Sequence, residues 1–293
     1  MVLLDGKLTA DKIKADIKNQ LSFFLDKGYR KPHLAAILVG NDGASATYVD
    51  SKEKNSKAIG FDSTIYRLAE NTSELDLISL IEELNNNSDI DGILVQSPLP
   101  KQINENSITQ TINPLKDVDG FHDVNMGKLA KGIDGFISAT PLGITLMLEA
   151  YGIETLGKHC VVVGRSNIVG RPMSLLMSNN SKTGNCTVTL CHSKTKNIEF
   201  YTQQADILIV ALGKPGFIKA DMVKKDAVVI DVGITRVDDE SKKSGFCLKG
   251  DVDFEAVKEK TSHITPVPGG VGLMTIAALL SNTFKAYKTN LNL

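Results

Sequence analysis

VVVGRSNIVGRPMSLL, residues 161 to 176, decides the fold. Three valines run into Gly164, the chain turns, and Gly170 opens a stretch of helix-forming residues. An apolar run without polar alternation suits a parallel strand covered on both faces. A glycine turn leading into a helix places free amide donors and the positive end of the dipole where a phosphate can sit. The spacing is not GxGxxG, because Ser166 stands at the second glycine position. The turn alone therefore also fits a strand-to-helix connection with no ligand.

Downstream the same rhythm repeats. Apolar runs predict strands at 160–163, 187–191, 207–210 and 228–232, with a weaker one at 263–265. Two of them end in further glycine turns, Ala211-Leu212-Gly213-Lys214-Pro215-Gly216 and Asp231-Val232-Gly233-Ile234. The carboxyl ends of parallel strands form the ligand crevice of doubly wound sheets, and glycines there allow close backbone approach. After the second strand an NAD site carries an acid for the ribose 2′-hydroxyl. Here the strand ends Leu190-Cys191-His192-Ser193-Lys194, with no acid, and Arg165 stands in the first turn. A cation and a hydroxyl favour a 2′-phosphate, hence NADP over NAD. A solvated loop charge is the plainer reading of Arg165.

Upstream, Ile13, Ile17, Leu21, Phe24 and Leu25 recur at helical spacing over 9–27, and Gly28 is a stop signal. An apolar strand over 34–39, a helix over 44–59 closed by Gly60, a strand over 63–68, a helix over 73–86 and a strand over 92–96 follow. Ser73 with Asp76 resembles a capping box. A helix over 104–112 leads to the turn-rich Lys116-Asp117-Val118-Asp119-Gly120-Phe121. Thr140-Pro141 reads as N-cap and first residue of a helix to 151. The pattern predicts two three-layer α/β domains, the second of Rossmann type. The first spans 1–140 with a returning C-terminal helix in 272–293, and the nucleotide domain spans 141–271.

Tyr48 and Lys52, in ATYVDSK, lie four residues apart and share a helix face. Gln96 stands at a strand end and Asp119 in a loop. An exposed helical lysine is ordinarily just solvated. If these groups converge, burial makes the neutral amine accessible, as proton transfer requires, and Gln96 can hold it by hydrogen bond. The expectation is a cleft shared with the nucleotide turns. The run Thr265-Pro266-Val267-Pro268-Gly269-Gly270-Val271-Gly272 is too rigid and too glycine-rich for an ordinary linker. It reads as a wall between cofactor and substrate, or as a plain interdomain turn.

Composition narrows the classes. The 293 residues are 42% hydrophobic and 23% charged with a net charge of −1, so no global field draws nucleic acid or an anionic membrane. The opening MVLLDGKLTADKIK does not read as a signal peptide, and no apolar run is long enough for a membrane span. The four cysteines form no CxxC and the five histidines no HExxH. Free thiols in a reducing cytoplasm, and no metal site, are the expectation.

The ordered stretches ILVGNDGASATYVDSK, GILVQSPLP, KDVDGF, VVGRSNIVGRPMS, TLCHSKT, ADILIVALGKPG, VVIDVGI, GDVDF and ITPVPGGVG resemble the bifunctional methylenetetrahydrofolate dehydrogenase/cyclohydrolase family over nearly the whole chain. The resemblance implies NADP-dependent oxidation of 5,10-methylenetetrahydrofolate, then hydrolysis of the methenyl product to 10-formyltetrahydrofolate, in a homodimer. It gives Lys52 the acid/base role, Tyr48 a stacking role against the folate, Gln96 the positioning of Lys52, and Asp119 hydrogen bonds from the pterin. Pro268, Gly269 and Gly270 join the substrate side. Arg165 and Ser193 hold the 2′-phosphate, while Gly164, Ser166, Ile168, His192, Ala211, Gly213, Gly233, Ile234 and Gly270 lie along the cofactor. Leu273, Ser138-Ala139 and Ser97 depart from the family pattern without touching Tyr48, Lys52 or Asp119. A monofunctional dehydrogenase would be expected to lack Lys52 or Gln96, and a silent binding protein to lack the lysine or the glycine turn.

Overall fold

A computed structural model describes residues 1–242 and 245–293. In chain order the elements are β1 (Val2–Leu3), α1 (Gly6–Asp26), β2 (His33–Val39), α2 (Gly43–Ala58), β3 (Asp62–Leu68), α3 (Glu74–Asn86), β4 (Gly92–Val95), α4 (Glu105–Thr111), α5 (Asp123–Ala130) and α6 (Ala139–Ala150). There follow β5 (His159–Val163), α7 (Gly170–Ser178), β6 (Thr187–Cys191), α8 (Ile198–Thr202), β7 (Ile207–Val210), β8 (Ala227–Asp231), β9 (Thr235–Asp238), β10 (Phe246–Lys249), α9 (Phe254–Val257), β11 (Thr261–Ile264) and α10 (Val271–Asn290). The chain divides into two units, one of Asp11–Ala139 with Ile276–Leu293, the other of Met1–Ala10 with Thr140–Thr275. No helix among the described residues is long and apolar enough to cross a membrane.

The first unit is built on a parallel sheet of order β3-β2-β4. The connections β2 to β3 and β3 to β4 run in opposite directions across it, so right-handed crossovers put α2 and α3 on opposite faces. Ala35, Ile37 and Val39 pack with Leu77, Ile81 and Leu84 of α3 and Ile108 of α4. Ser73 caps α3, accepting from the Asp76 N–H at 3.1 Å. A separate cluster joins Ile17 and Leu21 to Leu280, Phe284 and Tyr287 of the last helix. Tyr287 donates to the Arg30 carbonyl at 2.9 Å. The Arg30 guanidinium grips the buried Asp91 with bonds of 2.6 and 2.8 Å.

The second unit holds a six-stranded, all-parallel sheet of order β1-β11-β8-β7-β5-β6. Val161, Val163, Leu208, Val210 and Val229 line one face of it, the buried parallel core that the apolar runs predict. Chain direction across the sheet reverses at β5, which has β6 on one side and β7 on the other.

Three details differ from the sequence expectations. The opening residues sort with the nucleotide sheet, because β1 pairs with β11 and the Gly6 N–H donates to Gly269 O at 2.9 Å. Helix α6 opens at Ala139, so Thr140 sits in its first turn, its hydroxyl 3.3 Å from that of Thr275. The final helix starts at Val271, directly after Gly270. The antiparallel ribbon β9–β10 and helix α5 went unpredicted.

Candidate active site

Helix α2 is nucleated by Asp42, whose carboxylate accepts from the Ser45 N–H at 2.7 Å. Its buried residues are Ser45, Val49 and Ser56, and a 3.6-residue period places Lys52 on that same inward stripe. The lysine is half-buried, and its Nζ donates to Gln96 Oε1 at 2.9 Å. Gln96 extends β4, its N–H donating to Ile37 O at 2.9 Å. Its Nε2 donates to Ser97 O at 2.7 Å, which leaves Oε1 to receive the amine. Burial lowers the Lys52 pKa from its ordinary value, and the Asp119 charge opposes that fall. Tyr48, one turn earlier, is 48% exposed, so its ring is available to a ligand.

Asp119 is half-buried. Burial pushes its carboxyl up to about 6, with Lys52 pulling down and Asp117 pushing further up. Among the described residues nothing donates to the Asp119 side chain. Asp117 is its opposite. Its buried carboxylate accepts from the N–H groups of Gly120 (3.1 Å), Phe121 (3.3 Å) and His122 (2.9 Å) and from Asn125 Nδ2 (2.8 Å). The buried Lys116 ammonium caps α3, donating to Leu84 O at 2.9 Å and Asn87 O at 2.6 Å. The loop is thus pinned on both sides of Val118, and Asp119 is left open. Tyr48, Lys52, Gln96 and Asp119 all belong to this one unit.

The nucleotide residues belong to the other. Gly164 follows β5 at φ 125°, and a Cβ there would lie 2.2 Å from Ala211 O; one on Gly170 would lie 2.0 Å from Gly164 O. The first two turns are therefore packed backbone to backbone at the point where the sheet reverses, the usual place for a dinucleotide. The helix start contributes less than its position suggests. The Gly170 N–H is taken by Ser166 Oγ at 3.4 Å and that of Arg171 by Ser166 O at 3.0 Å, and Pro172 has none. Among the described residues, the N–H groups of Arg165, Ser166 and Asn167 have no partner within the chain, so the loop supplies the free donors. Arg165, Ile168, Ser193, Gly213 and Ile234 are exposed; His192 and Ala211 are half-buried. His192 Nδ1 accepts from the Lys194 N–H at 3.2 Å and closes the loop that carries Ser193. Gly233 and Gly270 are buried, while Pro268 is exposed. These turns, a loop with open donors and a cation beside them fit a phosphorylated dinucleotide.

Two residues escaped the sequence reading. Asp231, at the end of β8, accepts from Gly233, Asp251 and Val252 N–H groups, each at 2.9 Å. Asp251 accepts from Leu212 (2.5 Å), Gly213 (2.9 Å) and Lys214 (2.6 Å). Burial pushes the Asp231 carboxyl up to about 6, against the three N–H bonds that hold it down. A polar residue closing an apolar strand, followed by glycine, was the signal available in VVIDVG.

Two family models together cover most of the chain. Residues 4–119 match the tetrahydrofolate dehydrogenase/cyclohydrolase catalytic domain, and residues 138–291 match the NAD(P)-binding domain of the same name. The bifunctional protein FolD of Flavobacterium psychrophilum is 58% identical over 98% of this chain and 97% of its own. A crystal structure of the bifunctional FolD enzyme of Campylobacter jejuni superposes with a TM-score of 0.93 at 48% identity, covering 99% of both chains. The Trypanosoma brucei dehydrogenase-cyclohydrolase, solved with NADP and an inhibitor, gives 0.93 at 34% identity, covering 100% of this chain and 99% of its own.

Proposed function

We infer the reaction from one premise: this chain belongs to the tetrahydrofolate dehydrogenase/cyclohydrolase family. It oxidises 5,10-methylenetetrahydrofolate to 5,10-methenyltetrahydrofolate with NADP and hydrolyses that product to 10-formyltetrahydrofolate. The observation that carries the hydrolytic half is the half-buried Lys52, held by Gln96 and depressed in pKa.

Bound NADP supplies the hydride acceptor. The protein's share of the first step is proximity, holding two flat rings in contact. Arg165 and Ser193 pair with the 2′-phosphate, and the free N–H groups of residues 165–167 meet the pyrophosphate. The exposed Tyr48 ring stacks on the folate, and the Asp119 carboxylate, which has no donor among the described residues, accepts from pterin N–H groups. In the second step water adds to the electrophilic methenyl carbon. Neutral Lys52 takes a proton from the attacking water to leave a carbinolamine; the Lys52 ammonium returns it to N5, the bond from that carbon to N5 breaks, and the carbinol O–H proton passes to solvent as the formyl carbonyl forms. Gln96 Oε1 fixes one amine N–H, which aims the lone pair. Pro268, Gly269 and Gly270 are assigned to substrate binding as well.

A homodimer in the cytoplasm, divided into domains at about residue 140, completes this reading. The free thiols of Cys160, Cys186, Cys191 and Cys247 suit a reducing compartment, and sedimentation of the purified chain measures its mass. The central test follows methenyl absorbance after mixing protein, methylenetetrahydrofolate and either NADP or NAD. A rise and decay with NADP is expected. No methenyl signal with either nucleotide overturns the assignment.

A further inference from the structure

We propose that Asp251, supported by Asp231, is a positioning residue for NADP: it fixes the turns after β7 and β8 on which the nicotinamide half of the cofactor rests. The proposal depends on reading these turns as the NADP cradle.

Gly213 and Lys214 are exposed at a strand end, where loops are ordinarily mobile. Here three consecutive N–H groups, those of Leu212, Gly213 and Lys214, converge on the carboxylate of a fully buried side chain, Asp251. Bonds from N–H to a carboxylate are among the strong ones, and three on successive residues leave the turn a single conformation. Asp251 is itself held through its backbone, since its N–H donates to Asp231 Oδ1. Asp231 also takes the Gly233 N–H, so one carboxylate orders its own turn and the residue that orders the neighbouring one. A third segment joins them: the Asp231 N–H donates to Thr265 Oγ1 at 2.7 Å, and Thr265 begins the proline–glycine run.

Steric fit points the same way. A Cβ on Gly233 would stand 2.3 Å from Asp251 Cγ, and one on Gly250 would stand 1.9 Å from Asp231 Oδ2. The carboxylates lie directly against backbone that has no room for a side chain. Both are buried, Asp231 at 3% exposure and Asp251 at 0%, so they act through the turns. The half of the cofactor follows from the strand order β8-β7-β5-β6. The β5 turn takes the pyrophosphate and the loop after β6 takes the adenosine ribose, which leaves β7 and β8 for the other end.

The test compares Asp251→Asn with Arg165→Ala in the full chain. Asparagine replaces one acceptor oxygen with an NH2 group facing N–H donors. Expected for Asp251→Asn is a fall of about 10- to 100-fold in dehydrogenase kcat/KM for NADP, the scale of a displaced binding group. Hydrolysis of methenyltetrahydrofolate, assayed without nucleotide, stays within about twofold, and adenosine 2′,5′-bisphosphate keeps its inhibition constant. An unchanged kcat/KM for NADP beside a defective Arg165→Ala overturns the clamp and leaves the cradle standing. If Arg165→Ala is also without effect on NADP, the cradle reading falls and the clamp with it. Parallel loss of hydrolysis, NADP use and thermal stability gives Asp251 a structural role alone and overturns the proposal. Should Asp251→Asn not fold, Asp251→Glu keeps the charge but displaces the oxygens; the same split is expected at smaller size, and its absence counts against the proposal.

Discussion

The Lys52 patch and the nucleotide turns do their work with different parts of the chain. In the first unit the groups offered to a ligand are side chains whose protonation the surroundings have moved, Lys52 downward and Asp119 upward. In the second they are largely backbone, with carboxylates placed behind them as fasteners. Asp119 and Asp251 are both aspartates in loops, yet among the described residues the first has no donor and the second has three. Damage to the patch is therefore expected in rates and pH profiles, and damage to the turns in cofactor affinity.

Lys52→Met strikes the comparison hardest. Removing a positioned proton carrier costs ~10²- to 10⁴-fold, so conversion of methenyl- to 10-formyltetrahydrofolate is expected to collapse while the Michaelis constant for NADP holds. Normal hydrolysis, followed by loss of methenyl absorbance, removes Lys52 from the chemistry. Arg165→Ala addresses the other region. A charged hydrogen bond is worth about 1.5–3 kcal/mol, so the Michaelis constant for NADP rises about 10- to 100-fold while that for NAD barely changes. Equal changes for both nucleotides refute contact with the 2′-phosphate.

Asp119→Asn has the smallest effect and the most informative one. The Asp119 charge props the Lys52 pKa up against burial, so removing it lets that pKa fall further. The ascending limb of the hydrolysis profile, set by deprotonation of Lys52, then moves to lower pH. In the unmodified protein, folate binding that needs the Asp119 anion weakens as pH drops through about 6, because the carboxyl takes up its proton there. The variant loses that inflection and binds folate roughly tenfold more weakly. A pH profile identical in both proteins separates Asp119 from Lys52 and from the folate.

Most of this was legible for physical reasons. Strands of a buried parallel sheet are continuous apolar runs, so LAAILV, GILV, CVVV and ILIV announced themselves. Tyr48 and Lys52 stood out because i and i+4 share a face. What stayed hidden lacked local pattern. The strand Val2–Leu3 is two residues long and its partner lies at the far end of the chain. Helix α5 carries Gly127 at its centre and is capped by a histidine ring, His122 Nδ1 accepting from the Val124 N–H. The roles of Asp117, Asp231 and Asp251 are written in where backbone amides fall in space. An aspartate that serves N–H groups 37 to 39 positions away leaves no periodicity to read.

The pairing of β1 with β11 has a bearing on synthesis. Val2 and Leu3 leave the ribosome ~260 residues before their neighbours His263 and Ile264. That border of the sheet can close only once residue 264 has emerged, so on a nascent chain the nucleotide sheet is completed after all its other strands have been made.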